Sequence, residues 1–137
     1  MSVPEPVRHK GRLEVHVKAQ ALAAHTAHII SNPNVFNPDV DKLLLENIKQ
    51  TAYDIYTKSW MANKIHAEVN KINRDMRYQY QEEAILLCDK LHAYIGIAKT
   101  VYHVRHQKII YWSRLITEVR NLLQAWKESD VKRYGQP

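Results

Sequence analysis

Three pairs of side chains in this sequence have the one-turn spacing that metal chemistry uses. His25-x-x-His28 and His103-x-x-His106 each put two imidazoles on one helical face, and Asp89-x-x-His92 puts a carboxylate beside one. Each pair lacks an evident third ligand, and the two Glu-x-x-His motifs of a di-iron bundle do not occur. No metal site is expected. The single cysteine, Cys88, can form neither an internal disulfide nor a cysteine zinc site, which fits a reducing compartment. Within AILLCDKL it reads as a small core residue on the buried side of a helix. A glycine-rich phosphate loop, a nucleophile elbow and a CxxCH haem motif are all missing. Neither an enzyme nor a cofactor is expected.

The chemistry that remains is charge. The formal net charge is +6, and eight histidines add to it as pH falls through roughly 6.5. The excess sits in two segments. From Arg105 onward, Arg105, Lys108, Arg114, Arg120, Lys127, Lys132 and Arg133 face only Glu118, Glu128 and Asp130. In residues 1–32, Arg8, Lys10, Arg12 and Lys18 face Glu5 and Glu14, while the middle of the chain is near neutral. A basic surface suits a polyanion, because each neutralised phosphate releases counterions. The competing reading is an ordinary solvated surface with flexible tails. The candidate phosphate contacts are Arg105, Lys108, Arg114, Arg120 and Lys127, joined by Lys90 and Lys99.

Helices must position these residues. Glycine occurs only 3 times in 137 residues, which favours long helices over a turn-rich β-fold, and no apolar run approaches the ~20 residues needed to span a bilayer. The opening MSVPEPVRHKGRLE lacks the apolar stretch of a secretory signal, so a cytoplasmic protein is expected. Pro4, Pro6 and Gly11 suggest a flexible arm over residues 1–11. A four-helix domain is expected over 12–128 and a polar tail over 129–137.

The first helix, from about Leu13 to Ser31, carries Val15, Ala19, Leu22, Ala23, Thr26, Ile29 and Ile30 on one stripe. Pro33 and Pro38 break the pattern in SNPNVFNPD. Asn37-Pro38-Asp39 then starts a second helix, with Asn37 as cap, Pro38 in the first helical position and acidic residues at the positive end of the dipole. Its inner face is Leu44, Ile48, Thr51, Ile55, Ser59 and Ala62, and it runs to about Val69. Tyr53, Tyr56 and Trp60 lie off that face, where they would pack against other helices or face a second subunit, and are the candidates for a subunit interface.

Capping chemistry in NKINRD marks the next turn. The third helix carries Tyr80, Ala84, Leu87, Leu91, Tyr94, Ile95, Ala98 and Val101, with Gly96 inside it, which suggests close helix packing. A break near His103 to Gln107 is inferred from a change of phase, without proline or glycine. The fourth helix, KIIYWSRLITEVRNLLQAWK, is a strongly amphipathic stretch. Trp112, Leu115, Ile116, Val119, Leu122, Leu123 and Trp126 form one face, bracketed by two large aromatic rings. Four such helices with short connections predict an all-α, antiparallel up-down-up-down four-helix bundle. Arg8, Lys10, Arg12, Lys127, Lys132 and Arg133 would gather at one end of it.

The segment YWSRLITEVRNLLQAWKESD resembles the C-terminal helix of the accessory variability determinant (Avd) proteins of diversity-generating retroelements. IKQTAYDIYTKSWMANKI, with Ala62-Asn63, resembles their second helix, and EEAILLCDKLHAYIGIAKTV their third. The likeness covers roughly residues 15 to 130. A neighbouring group, encoded in ribosomal RNA intervening sequences, has a similar four-helix fold. The resemblance implies a non-catalytic homopentamer that binds nucleic acid (RNA or an RNA–DNA hybrid) and the retroelement's reverse transcriptase, and supports mutagenic copying of a template repeat. The alternative is a protein-binding helical module of the intervening-sequence type, without nucleic-acid affinity.

Overall fold

The computed structural model describes the backbone of residues 5–137 and the side chains of residue 12 and of residues 14–137. Four helices follow one another: α1 Glu5–Ile30, α2 Pro38–Lys64, α3 Lys71–Tyr102 and α4 His106–Tyr134. They form a four-helix bundle in which α1 packs on α2 and α4, and α3 packs on α2 and α4. Among the described residues there is no strand, and no helix is long and apolar enough to cross a membrane.

The core follows a heptad-like spacing on each helix, which keeps one seam facing inward. On α4 the buried positions are Ile109, Trp112, Ile116, Val119, Leu123, Trp126 and Asp130. On α3 they are Arg77, Gln81, Ala84, Cys88, Leu91, Ile95 and Ala98, with Ile85 beside them. The expected inner face of α2 is buried in full, as are Val15, Ala19, Leu22, Ala23 and Thr26 of α1. Each fully buried aliphatic side chain contributes roughly 1.5–3 kcal/mol. Trp112 is the largest of the sealed residues, and its indole Nε1 donates to Thr26 Oγ1 at 3.0 Å, so its one polar group is satisfied. Burial pushes the Cys88 thiol up to about 12, which leaves it uncharged and inert.

Helix ends match the capping chemistry. Asn37 Oδ1 accepts from Asp39 N at 2.9 Å, and Asn70 Oδ1 from Asn73 N at 2.8 Å. Asp41 breaks helical geometry (φ −159°, ψ 80°) and its Oδ1 accepts from Leu44 N at 3.0 Å, so α2 is capped a second time one turn in. The break between α3 and α4 is made by His103 in the left-handed region (φ 53°), which explains why neither proline nor glycine marks it.

Several boundaries differ from expectation. α2 stops at Lys64 rather than Val69, because Ile65 leaves helical geometry and its N–H turns back to Ala62 O. α1 begins at Glu5, so much of the arm expected over 1–11 is helix. Pro6 is compatible with that start, since a first-turn N–H has no helical partner. Residues 1–4 of that arm lie outside the described residues. The polar tail expected over 129–137 is mostly the last turns of α4, held by the buried Asp130. On α3, Tyr80, Leu87, Tyr94 and Val101 are only partly buried, because polar Arg77 and Gln81 occupy the inward register.

Gly96 also departs from expectation. It is exposed, and a Cβ added there would meet nothing within 4 Å, so close packing does not explain it. Gly96→Ala is therefore expected to stabilise the protein by up to ~1 kcal/mol, because alanine loses less backbone entropy in a helix. Thermal unfolding checks this, and a lowered midpoint would contradict it.

Candidate nucleic-acid interface

The seven candidate cations do not form one surface. Two are committed to carboxylates in the seam between α3 and α4. Arg120 Nε lies 2.8 Å from Asp89 Oδ1, and Lys127 Nζ lies 2.7 Å from Glu82 Oε2 with Tyr78 beneath it. Hydrogen bonding to Asp89 raises the Arg120 pKa further, so this charge is neutralised locally. Lys90 is exposed on the other flank of α3, over the Tyr94 ring and beside Lys58, Leu86 and Leu87.

Lys99 and Arg105 lie at the corner where α3 gives way to α4, and Lys108 follows in the first turn of α4 on the side of α1. Lys99 Nζ lies 3.2 Å from His106 Nδ1, which ties the last turn of α3 to the first residue of α4. Arg105 is the N-cap of α4 and Lys108 lies in its first turn; both are exposed. Among the described residues none of the three meets a carboxylate within ion-pair distance. The α4 N-terminus adds to the positive field, since it has no side-chain cap and no acidic residue in its first turn. Arg114 is exposed on α4 about 9 Å beyond Lys108 at 1.5 Å rise per residue. These four, and Lys90 on the other flank of α3, are the exposed candidates without a carboxylate partner among the described residues.

Beside this corner a cavity of about 360 Å³ opens between the end of α1, the loop before α2 and the start of α4. Its walls include Ile29, Val35, Val104 and the ring of Tyr111; Lys108 and Gln107 stand among its polar residues. His25 also lines it. The imidazole meets Tyr111 edge to face at 5.1 Å, and its Nε2 has no hydrogen-bond partner. Burial, and then the neighbouring His28, lower the His25 pKa. The loop wall is fixed by Tyr102. Its hydroxyl accepts from Asp41 N at 3.1 Å, and its ring stacks edge to face on Phe36.

The histidine pairs do not converge into metal ligands. Asp89 is engaged by Arg120, and His92 sits by Thr117 Oγ1 at 3.4 Å with its pKa lowered by burial. Among the described residues no group of three His, Cys, Asp or Glu side chains is placed to hold a metal ion.

The interface candidates are split. Tyr56 sinks into the seam between α1 and α2, with its hydroxyl 3.3 Å from His16 Nε2. Trp60 is exposed but stacks on His16 at 5.0 Å and carries Lys64 Nζ at 4.7 Å from its ring. Tyr53 is exposed beneath Lys49. Larger apolar exposure lies elsewhere. Ile72, Met76, Leu86 and Ile97 lie on one outward face of α3, broken by Gln79, Glu83 and Lys90, with Ile72 at 70% and Leu86 at 60% exposure. Their spacing returns to one helical face, a signal present in the sequence but masked there by the stronger inward stripe.

The expected gathering at the opposite end is altered as well. Arg8 and Lys10 lie outside the described side chains, and Lys127 and Arg133 face Glu82 and Asp130. That end holds instead a buried polar centre that the apolar pattern of the sequence does not reveal. Arg77 donates from Nε to Asp130 Oδ2 at 2.7 Å and from Nη2 to Oδ1 at 2.9 Å, and Gln81 Nε2 donates to Oδ2 at 2.8 Å. Extending the heptad register back from Ala84 and forward from Trp126 lands on all three residues. Comparison with family models, with curated proteins and with solved structures finds no match to this chain.

Proposed function

We propose that this protein is a non-catalytic, nucleic-acid-binding helical bundle that serves as the accessory protein of a diversity-generating retroelement. It would hold RNA or an RNA–DNA hybrid against the element's reverse transcriptase in the cytoplasm, as a homopentamer. The observation that carries the binding role is that Lys99, Arg105 and Lys108, at the end of the bundle where α3 gives way to α4, have no carboxylate partner among the described residues. Charges so placed gain from phosphate what Arg120 and Lys127 already obtain from Asp89 and Glu82. The retroelement context rests on the sequence resemblance alone.

The bundle is read as antiparallel, up-down-up-down. Cross-helix partners support this, since their numbers rise on one helix as they fall on the next. Lys18 meets Glu118 while Thr26 meets Trp112, and Gln81 meets Asp130 while Lys99 meets His106.

The outward α3 face carrying Ile72, Met76, Leu86 and Ile97 supports association with further chains, because exposed apolar surface of this kind marks protein contacts. It also favours the second reading, a protein-binding module without nucleic-acid affinity. Light scattering with and without a short RNA–DNA hybrid separates the two. A pentamer that binds the hybrid at low salt and releases it at moderate salt is the expected result. A monomer or dimer indifferent to the hybrid would move the assignment to the protein-binding module.

A further inference from the structure

We propose that the cavity between the end of α1, the loop before α2 and the start of α4 takes a single unstacked nucleobase from a nucleic-acid strand, whose adjoining phosphates lie on Lys108 and Arg105. This rests on the nucleic-acid reading above and names the form of nucleic acid that the surface selects.

Four features converge on that ligand. The size fits, since about 360 Å³ falls within the range of roughly 300–1,000 Å³ that small-ligand pockets occupy. The walls fit a flat apolar face. Tyr111 is 51% exposed and available for stacking, and Ile29, Val35 and Val104 line the interior. A polar edge is also provided for. His28, Asn32 and Gln107 line the cavity and are exposed, and base edges carry the donors and acceptors that pair with such groups. Charge completes the match. Among the described residues no carboxylate lines the cavity, Lys108 stands in its wall, and Arg105 is the N-cap residue of the helix that forms that wall. An aromatic wall beside a cationic track is the arrangement that holds single strands, with the base on the ring and the phosphates on the cations. A paired duplex offers no free base, so the cavity favours single-stranded segments, unpaired loops and ends.

The test uses the full-length protein and three probes: a single-stranded RNA 12-mer with 2-aminopurine at its centre, a blunt RNA–DNA hybrid of the same length, and adenosine monophosphate. Two variants alter the cavity at exposed positions that make no hydrogen bond across the fold. Tyr111→Ala removes the stacking face, and Gln107→Trp fills the mouth. Circular dichroism confirms that both fold.

The expected result is a change of 2-aminopurine fluorescence on binding to the native protein. Each variant loses about tenfold or more in affinity for the single strand, the effect of removing one base–aromatic stack. Affinity for the hybrid stays within twofold. Equal losses on strand and hybrid, or no loss on either, would overturn the base pocket while leaving the cationic surface in place. Adenosine monophosphate binding as tightly as the strand would overturn the assignment to a strand. Failure of the native protein to bind strand and hybrid alike would remove the nucleic-acid reading itself, and the pocket with it.

Discussion

Asp130→Ala is expected to destabilise the protein by ~3–5 kcal/mol, the cost of leaving a buried charge without its partner. Arg77 is 2% exposed and Asp130 is 7% exposed, and the pair is bidentate. The guanidinium also lies 5.0 Å from the Trp126 ring and donates from Nη1 to Ile65 O at 3.3 Å. Removing the carboxylate orphans Arg77 and Gln81 together, and Gln81 Oε1 has no partner to begin with. A domain of this size has only ~5–15 kcal/mol of stability, so the loss is a large share of the total. Denaturant unfolding followed by circular dichroism measures it.

The joint replacement Arg77→Met with Asp130→Leu is expected to be far milder, because two apolar side chains of similar volume need no partners. If Asp130→Ala cost under about 1 kcal/mol, the pair would be an open surface bridge in solution. The centre joins α3 to the last turns of α4 and reaches the α2–α3 loop at Ile65. Loss of Asp130 is therefore expected to fray the end of α4 first, visible as faster amide exchange after Trp126.

The second large effect concerns binding. Neutralising Lys99, Arg105 and Lys108 to glutamine is expected to lower the salt dependence of hybrid binding. The slope should fall by about one unit for each phosphate that a cation no longer neutralises, about three in all. Neutralising Arg120 and Lys127 in the same way should change the slope far less, since Asp89 and Glu82 already neutralise those charges. Titrations of the hybrid over a range of salt concentrations compare the triple variant with the double variant directly. Equal changes in slope would show that the α3–α4 seam opens its ion pairs to nucleic acid, and the corner would lose its special status. Arg114→Gln should fall between these cases. It is exposed and has no carboxylate partner among the described residues, but it stands about two turns away along α4.

The helical faces are legible in the sequence to the extent that they are apolar. The expected face of α2 is buried in full and those of α1 and α4 in most positions, with Ile29, Ile30, Leu115 and Leu122 only partly buried, and Asn37 and Asn70 cap where their side chains suggest. The α3 face reads in a shifted phase because Arg77 and Gln81 look like surface residues until a carboxylate from another helix meets them. The same blindness hides the end of α4, where Asp130 reads as the opening of a tail. The corner of Lys99, Arg105 and Lys108 is legible only in part. Arg120 and Lys127 group with it in the sequence, since charge counted along a chain does not reveal which charges are paired across helices.

What the sequence determined by itself is the number of helices, their capping and most of their inward faces, because these follow from side chains three and four positions apart on one segment. Which charges remain available, which polar groups are buried, and that His25, Tyr111 and Lys108 share one cavity were decided by the tertiary structure alone. The physical reason is distance along the chain. Arg77 and Asp130, Asp89 and Arg120, and His25 and Tyr111 are brought within reach only when separate helices pack. Local periodicity states which way apolar side chains face and is silent on what a polar one meets across the bundle.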